Sequence, residues 1–486
     1  MSAGENSEVL LRRLRQGREL TLGQQAALTL KLSLPAMLAQ LSFIAMQYID
    51  ASMVGRLGAE ASAAIGLVST STWLFGGVCT AVACGFTIQV AQQLGAGRDA
   101  LARQTIKQGL LAAFGVSLAL AILGLAIGRQ LPAWLGGAAS IQKDAASYFL
   151  IYVLSLPFVQ INALSGGFLQ SSGNMRVPSV LNMLMCLEDV LFNLLLIFPT
   201  RTAVVLGQTV LLPGAGLGTA GAALGTALAE MVTALVLLIW LLLQSQPLRL
   251  RPGEGFSCSG DVFKKAIRLA LPVGFEQLMM SGAQVAATRI VAPLGTIAVA
   301  ANAFAVTAES LCYMPGYGIG MAATALIGQS IGAGRGELAK RLGWLATGLG
   351  MAVMGVAAVL MYAAAPFMIG LMTPDIAIRQ LGTQVLRIEA FAEPLYAASI
   401  VASGVFRGAG DTLLPSGMNF CTMWCVRLPL AAYLAPRMGL SGVWIAMCVE
   451  LCVRGVIFLL RLAGGRWLKD AAAGRDFKKG ATNDAQ

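Results

Sequence analysis

The sequence predicts an all-α polytopic membrane protein of twelve transmembrane helices arranged as two parallel six-helix repeats, and three observations carry that expectation. The first is composition. Of 486 residues 57% are hydrophobic and 12% charged, with a mean hydropathy of +0.74, whereas a soluble domain carries about 25% charged residues. The second is that low-charge apolar stretches recur from Leu32 to Leu462, each near the ~20 residues that a helix needs to cross hydrocarbon. The third is an internal repeat at a constant offset.

In chain order the expected spans are Leu32 to Val54, Ala61 to Gln89, Thr105 to Ile127, Ala145 to Leu169, Val177 to Phe198 and Leu217 to Leu243. Six more follow: Ala266 to Val291, Ile297 to Ile327, Leu342 to Pro366, Gln384 to Phe406, Leu413 to Ala435 and Leu440 to Leu462. With the N-terminus inside, the arginines of residues 12–18, the cations from Arg98 to Lys107, from Arg249 to Arg268 and from Arg335 to Arg341, and the tail from Arg461 all fall on one side. The other side's loops hold fewer: Arg56, Arg129, Lys143, Arg201, Arg379 and Arg437. Cations gather in cytoplasmic loops, so both termini are expected in the cytoplasm. The expected segments are 1–30 (cytoplasmic), 31–243 (first six spans), 244–261 (a cytoplasmic linker rich in Pro, Gly, Ser and Arg), 262–465 (last six) and 466–486 (a cytoplasmic tail). The net charge of +11 lies in short loops, which fits orientation in a bilayer better than nucleic acid. No apolar run with a small-residue cleavage site marks the first thirty residues, so no removable signal peptide is expected.

The repeat is exact at many unrelated places. An offset of 237 relates Pro35 to Pro272, Leu57-Gly58 to Leu294-Gly295, Gln92 to Gln329, and Gly95-Ala96-Gly97-Arg98 to Gly332-Ala333-Gly334-Arg335. It also relates Pro157, Gly167, Gly173, Pro178 and Asn182 to Pro394, Gly404, Gly410, Pro415 and Asn419. Near the end of each half the offset falls to 221, matching Gly218 and Gly221 to Gly439 and Gly442; 16 extra residues are therefore expected in the first half, in the loop around Pro199 to Pro213. Six spans per copy is an even number, so both copies enter the membrane in the same direction, as in parallel-repeat transporters. Most repeated Gly and Pro residues are read as scaffold, giving turns, kinks and close helix contacts.

Several of these signatures resemble the multidrug and toxic compound extrusion (MATE) family. They are the proline-headed first helix Leu34-Pro35 with Asp50-Ala51-Ser52-Met53-Val54-Gly55-Arg56-Leu57-Gly58, the Gln92-to-Gly97 loop and its copy Gly328 to Gly334, and Phe406-Arg407-Gly408-Ala409-Gly410-Asp411-Thr412. The resemblance runs from about residue 30 to 465. It implies a V-shaped pair of six-helix lobes that expel organic cations or other amphiphiles in exchange for Na⁺ or H⁺. It also implies a monomer in the bacterial inner membrane, with small organic substrates and lipid as partners and no cofactor beyond the coupling ion.

Carboxylates inside a membrane are costly, and function is the default hypothesis for them. Asp50, Asp189, Glu276, Glu309 and Glu393 map through the repeat onto Ala287, Val426, Ala39, Thr72 and Leu156, none acidic. The scaffold repeats and the acids do not. Asp50, Glu188, Asp189 and Glu230 have no basic residue well inside their spans, whereas Glu276, Glu309, Glu393 and Glu450 share theirs with Arg289, Arg427 and Arg454. Unpaired carboxylates are suited to bind a cation or hold a proton, so the coupling site is expected at Asp50, Asp189, Asn193 and Glu188. Asn193 stands one turn beyond Asp189, on the same helix face. Asp50 coincides with the family's first-helix aspartate. In one branch of the family an aspartate falls at the Asn193 position with an asparagine one turn before, so the two types are exchanged here. Another branch places acids where this chain has Met280 and Tyr396, with Glu276 and Glu393 one turn away. Glu276, Glu393, Glu309 and Glu230 therefore form a second rank, the simpler account of Glu276 and Glu393 being ion pairs with the C-half arginines. Met46, Met183, Met280 and Tyr396 are candidates to line a pliable substrate cavity, with packing as the plainer role for any one of them.

The chain has no histidine, which removes histidine metal sites, Ser-His-Asp triads and histidine relays. Cys421 and Cys425, and Cys448 and Cys452, pair on helix faces without further ligands, so no metal site is expected. The Gly-Ala-Gly-Arg loops lack the lysine and serine of a phosphate-binding loop, and no nucleophile stands with a base, so no enzyme is expected. The alternative to an exporter is a flippase for lipid-linked precursors, which calls for a cavity of paired arginines and extra spans.

Overall fold

The computed structural model describes residues 7–205, 208–249, 251, 254 and 259–468. Of the expected tail, residues 469–486 lie outside this description, as do residues 1–6 of the N-terminal segment and residues 250, 252, 253 and 255–258 of the linker.

A short amphipathic helix α1 (Ser7–Arg15) precedes α2 (Leu22–Gly55), α3 (Ala59–Gly95), α4 (Asp99–Ile127), the single turn α5 (Leu131–Trp134), α6 (Ala139–Ser171) and α7 (Arg176–Leu196). Strands β1 (Pro199–Val205) and β2 (Gln208–Ala215) then lead into α8 (Gly218–Leu243). The second half holds α9 (Gly260–Val291), α10 (Thr296–Gly332), α11 (Gly336–Met372), α12 (Ile376–Glu389), α13 (Glu393–Ala409), α14 (Leu413–Thr422) and α15 (Leu428–Gly464), with a π-helical turn Met423–Arg427 joining the last two.

Among the described residues nine helical stretches are long and apolar enough to cross a membrane: α2, α3, α4, α6, α7, α8, α10, α11 and the unit Leu413–Gly464. The difference from the expected twelve has physical causes. The first is charge, since α9 carries Asp261, Lys264, Lys265, Arg268, Glu276 and Arg289. A second is the break in the expected span Gln384 to Phe406 between Glu389 and Glu393; Pro394 there has no N–H to give and its ring crowds the carbonyl one turn back. The third is that the unit Leu413–Gly464 is two helices fused across Gly439, whose φ of 59° and ψ of −143° leave the helical region. The chain doubles back there: Arg427 Nη2 lies 2.7 Å from Met447 Sδ, although twenty residues of straight helix span about 30 Å. The 16 extra residues of the first half form the β1–β2 pair, antiparallel with Val205 opposite Gln208. A run rich in Thr and Val favours strand over loop, and this is the one departure from an all-α chain among the described residues.

The repeat is visible in the backbone as well. Gly58 and Gly295 (φ 116° and 100°), Gly97 and Gly334 (68° and 78°), Gly173 and Gly410 (89° and 91°), and Gly218 and Gly439 (both 59°) take matching left-handed conformations at matching turns. The halves meet in reciprocal contacts. Helix α2 lies against α7 of its own half and α10 of the other; its copy α9 lies against α14 and α3. At the end where the linker lies, Gln92 Nε2 donates to Gly408 O (3.2 Å) and Gln329 Nε2 to Ser171 O (2.7 Å), and each member of the first pair is the 237-residue copy of a member of the second. A Cβ added at Gly95 would stand 2.1 Å from Gln329 O, and one at Gly332 2.0 Å from Gln92 O. Contacts that swap under exchange of the halves define a two-fold pseudo-axis between α3 and α10, which is how parallel repeats are related. Small residues let the backbones approach this closely.

The seam is completed differently in its two copies. Lys265 Nζ donates to Gln92 Oε1 (3.0 Å), whereas Gln329 Oε1 is met by Arg15 Nε (3.1 Å) from α1. Helix α1 buries Leu10, Leu11 and Leu14 and sends Arg15 Nη2 to Ser172 O (2.8 Å), so α1 is docked across both halves at the linker end. The linker is tethered too: Arg103 Nη2 reaches Glu254 Oε1 at 2.6 Å, and Lys107 Nζ donates to Glu254 O at 2.8 Å. The guanidinium of Arg103 holds the Glu254 carboxyl below its ordinary value. A lowered carboxyl pKa means that the Arg103–Glu254 ion pair is complete at neutral pH and is lost as pH falls below the ordinary value, about 4.3, through the lowered one, leaving the Lys107 bond to the Glu254 carbonyl. Limited proteolysis of the linker should therefore accelerate only in that acidic window, and Glu254→Gln should show the fast rate at neutral pH.

Candidate functional site

Three side chains from two helices meet inside the first half. Asn193 Nδ2 donates to Asp50 Oδ1 (2.9 Å) and to Asp189 Oδ2 (3.0 Å). Asp189 and Asn193 are one turn apart on α7 and buried, 0% and 1% exposed, while Asp50 reaches them from α2 and is half-buried. Asp189 Oδ1 and Asn193 Oδ1 are buried with no hydrogen-bond partner. Buried acceptors without donors are costly, and here one belongs to Asp189 and the other adjoins both carboxylates through Asn193, an arrangement suited to a proton or a small cation. Helix α8 makes room: a Cβ on Gly225 would lie 2.2 Å from Asn193 Oδ1. The copy of Gly225 at the 221 offset is Ala446 and that of Asn193 at 237 is Leu430, so the glycine stands only where the carboxamide needs it. Gly225→Ala should displace the Asn193 carboxamide, cost about 1–3 kcal/mol of stability and reduce activity. A thermal melt set beside a functional assay checks both.

The remaining first-half acids are placed apart. Glu188 is offset by one residue from Asp189 and so faces elsewhere; its Oε2 is buried without a partner. Glu230, on α8, accepts from Asn162 Nδ2 of α6 at 2.6 Å.

In the second half the expected charge balance takes the form of a direct ion pair at Glu450, whose Oε1 meets Arg454 Nη2 at 2.6 Å. Glu276 is paired, but with Arg407 (3.0 Å) rather than an arginine of the membrane spans named for it, and it also accepts from Ser416 Oγ (2.6 Å) and Asn419 Nδ2 (2.7 Å). Arg407 reaches Glu276 from the last turn of α13, while the packing of α9 against α14 brings Ser416 and Asn419 to the same carboxylate. Arg289 is exposed. Arg427 meets the sulfurs of Met447 and Met423, and its field reaches Glu309 and Glu389. Glu393 is fully buried, and among the described residues no N–H or O–H donor reaches either of its oxygens, the Cys312 thiol being the polar group that interacts with it.

Glu389 was missed in the sequence. It too is 0% exposed with both oxygens unpartnered, and it interacts electrostatically with Glu309 and Glu393. Its signal was the Glu389–Glu393 spacing of one helical turn inside the span Gln384 to Phe406. The repeat pointed the same way: the first-half copies of Glu389 and Glu309 are Tyr152 and Thr72, and Tyr152 Oη donates to Thr72 O at 2.9 Å. Positions that touch in one half are acids in the other.

The four cavity candidates do not form one group. Met280 packs with Ala283, Met423, Leu428 and Trp424. Tyr396 stacks edge-on to Tyr313 with centroids 5.7 Å apart. Met46 is buried on α2 and Met183 half-buried on α7.

Two helical bundles related by a two-fold pseudo-axis, with carboxylates buried inside long apolar helices, define a multi-pass membrane protein of the parallel-repeat class. The MatE family model matches residues 35–195 and 272–433, two stretches that begin on Pro35 and Pro272, and the chain belongs to that family. A probable multidrug resistance protein NorM of Thermotoga maritima is 24% identical over 452 residues, covering 92% of this chain and 94% of the relative. The multidrug resistance protein MdtK of Yersinia pestis is 25% identical over 461 residues, covering 92% and 96%. Among solved structures, MATE in complex with MaL6 has a TM-score of 0.85 at 19% identity over 95% of this chain and 99% of the other. A MOP superfamily transporter from Pyrococcus furiosus has a TM-score of 0.84 at 19% identity, covering 96% and 99%. These structural likenesses speak for the fold.

Proposed function

We propose that the protein exports small organic compounds, cationic or amphiphilic, by antiport with H⁺ or Na⁺ across a bacterial inner membrane, and that Asp50, Asp189 and Asn193 are its coupling site. The observation that carries the site is that two carboxylates, Asp50 and Asp189, share one donor while Asp189 Oδ1 and the neighbouring Asn193 Oδ1 are buried without a hydrogen-bond partner among the described residues. The two multidrug resistance relatives support the substrate class. A ligand shifts a two-state protein only by binding one state more tightly. Closing of the reciprocal Gln92 and Gln329 joint at the linker end, and its opening, supply the two states; the half-exposed Asp50 gives the ion a path to the buried pair. Termini and linker face the cytoplasm, which labelling of Gln246→Cys from one side of the membrane tests. The function is tested with a fluorescent cationic dye in inverted vesicles while the Na⁺ and pH gradients are collapsed separately: uptake should stop with one of the two, and uptake indifferent to both would overturn antiport.

One observation favours a second-half site instead, namely that among the described residues no N–H or O–H donor meets the four carboxylate oxygens of Glu389 and Glu393, which stand beside Glu309. Glu276 is the weaker candidate, because three donors already satisfy it. Normal transport by Asp50→Asn and Asp189→Asn together with loss in Glu393→Gln or Glu276→Gln would move the coupling site to the second half.

A further inference from the structure

A polar groove lies between α11 and α12 at the end of the molecule opposite the linker. Its recess of about 490 Å³ is lined by Arg379, Gln380, Thr383, Gln384 and Arg387 of α12, with Pro366 of α11 across from them. The α12 residues recur at one-turn spacing and form a stripe along one face. Around the stripe stand large apolar side chains open to the surroundings: Phe367 (68% exposed), Leu371 (73%), Ile376 (70%) and Phe391 (73%). Exposed apolar groups of that size on a membrane-spanning bundle face lipid, so the groove is a polar notch in a lipid-facing belt.

The two arginines are arranged to receive an anion. They stand eight residues apart, about 12 Å along the helix. Arg387 packs over the Tyr362 ring (5.1 Å) and donates through Nε to Tyr362 O (3.2 Å), which fixes the guanidinium and leaves its terminal nitrogens to the groove. Arg379 lies against Gly370 of α11, where an added Cβ would stand 2.8 Å from Nη2, and its guanidinium makes no hydrogen bond or ion pair among the described residues. Among the described residues no carboxylate lines the recess: Asp375 is spent capping α12, accepting from the backbone N–H of Ala377 (2.8 Å) and Ile378 (3.1 Å), and Glu389 is buried on the other side of the helix. The stripe is also foreign to the scaffold. Through the 237-residue repeat Arg379 and Arg387 correspond to Gln142 and Leu150 of α6, so the fold does not require them. Guanidinium groups at the membrane boundary with no acidic partner call for one from the membrane itself.

We propose that this groove binds the headgroup of an anionic phospholipid, its phosphodiester held between Arg379 and Arg387, its polar remainder on Gln380, Thr383 and Gln384, and its acyl chains on the surrounding apolar belt. Arginine suits a phosphate because its donors fit two oxygens at once.

The test is native mass spectrometry of the purified protein after exchange into phosphatidylglycerol or phosphatidylcholine nanodiscs, with a thermal melt on the same samples. Wild type should retain phosphatidylglycerol selectively and melt higher in it, and Arg379→Ala/Arg387→Ala should lower that retention about tenfold without changing retention of phosphatidylcholine. Arg379→Lys/Arg387→Lys keeps the charges and guards against misfolding; it should retain phosphatidylglycerol between the two. Equal retention of both lipids by wild type, or equal phosphatidylglycerol retention by wild type and the alanine variant, would overturn the proposal. So would protection of wild type by inorganic phosphate equal to that by the lipid, since that would assign the groove to free phosphate.

Discussion

Asp50→Asn should abolish gradient-driven export while leaving the protein folded and still able to bind substrate. Asparagine keeps the size of the side chain and the acceptor for Asn193 Nδ2, which donates to Asp50 Oδ1 at 2.9 Å, so the packing of α2 on α7 has little reason to change. What is removed is the charge. Without it the cluster holds one carboxylate, Asp189, already served by the same Asn193 donor at 3.0 Å, and it loses the group nearest the surface. Coupling free energies of roughly 1–3 kcal/mol correspond to about 5- to 150-fold effects, and the loss of energised uptake should fall in or above that range. Uptake driven only by the substrate's own gradient should persist. The check is dye uptake in inverted vesicles with and without energisation, alongside equilibrium binding of the same dye.

Gly332→Ala and Gly95→Ala should each be about as damaging as loss of the coupling acid, for an unrelated reason. The added methyl would stand 2.0 Å from Gln92 O in one case and 2.1 Å from Gln329 O in the other. Both contacts are to backbone, which cannot rotate away as a side chain can. The substitutions act on one of the two states alone, the one in which α3 and α10 meet at the linker end. The equilibrium should move toward the state in which they are parted, and turnover should fall because the cycle needs both. The two-fold pseudo-axis adds a sharper expectation: the two variants should resemble each other, since each residue is the other's copy. Spin labels at Asp99→Cys and Glu337→Cys in a cysteine-depleted background report the separation. It should lengthen in both variants, and unchanged distances with normal transport would contradict the seam's role.

The repeat was legible because it rests on glycines and prolines, residues whose backbone roles are narrow. Matching left-handed glycines such as Gly58 and Gly295 are what an offset in the sequence detects. The Asp50, Asp189 and Asn193 grouping was legible for a related reason: residues four apart share a helix face, and acids that break a repeat have no scaffold role to explain them. Long-range partners were less accessible. The partner of Glu276 is Arg407, 131 residues away at the end of α13, a tertiary contact that no spacing within one span reveals; counting charges within spans pointed to other arginines. Glu389 was overlooked beside Glu393 although both lie in one apolar stretch, and the break at Pro394 that separates α12 from α13 has no counterpart at Pro157, which sits inside the continuous α6. Docking of α1 across the seam was not visible either, because nine residues with three arginines look the same in sequence whether solvated or anchored by Leu10, Leu11 and Leu14.

The most direct test of the central claim is ion release from purified protein on addition of substrate, followed with a pH indicator and, in parallel, a Na⁺-selective electrode. An antiporter coupled at Asp50, Asp189 and Asn193 predicts release by wild type and by Glu393→Gln, and none by Asp50→Asn. Undiminished release by Asp50→Asn together with its loss in Glu393→Gln would contradict that account.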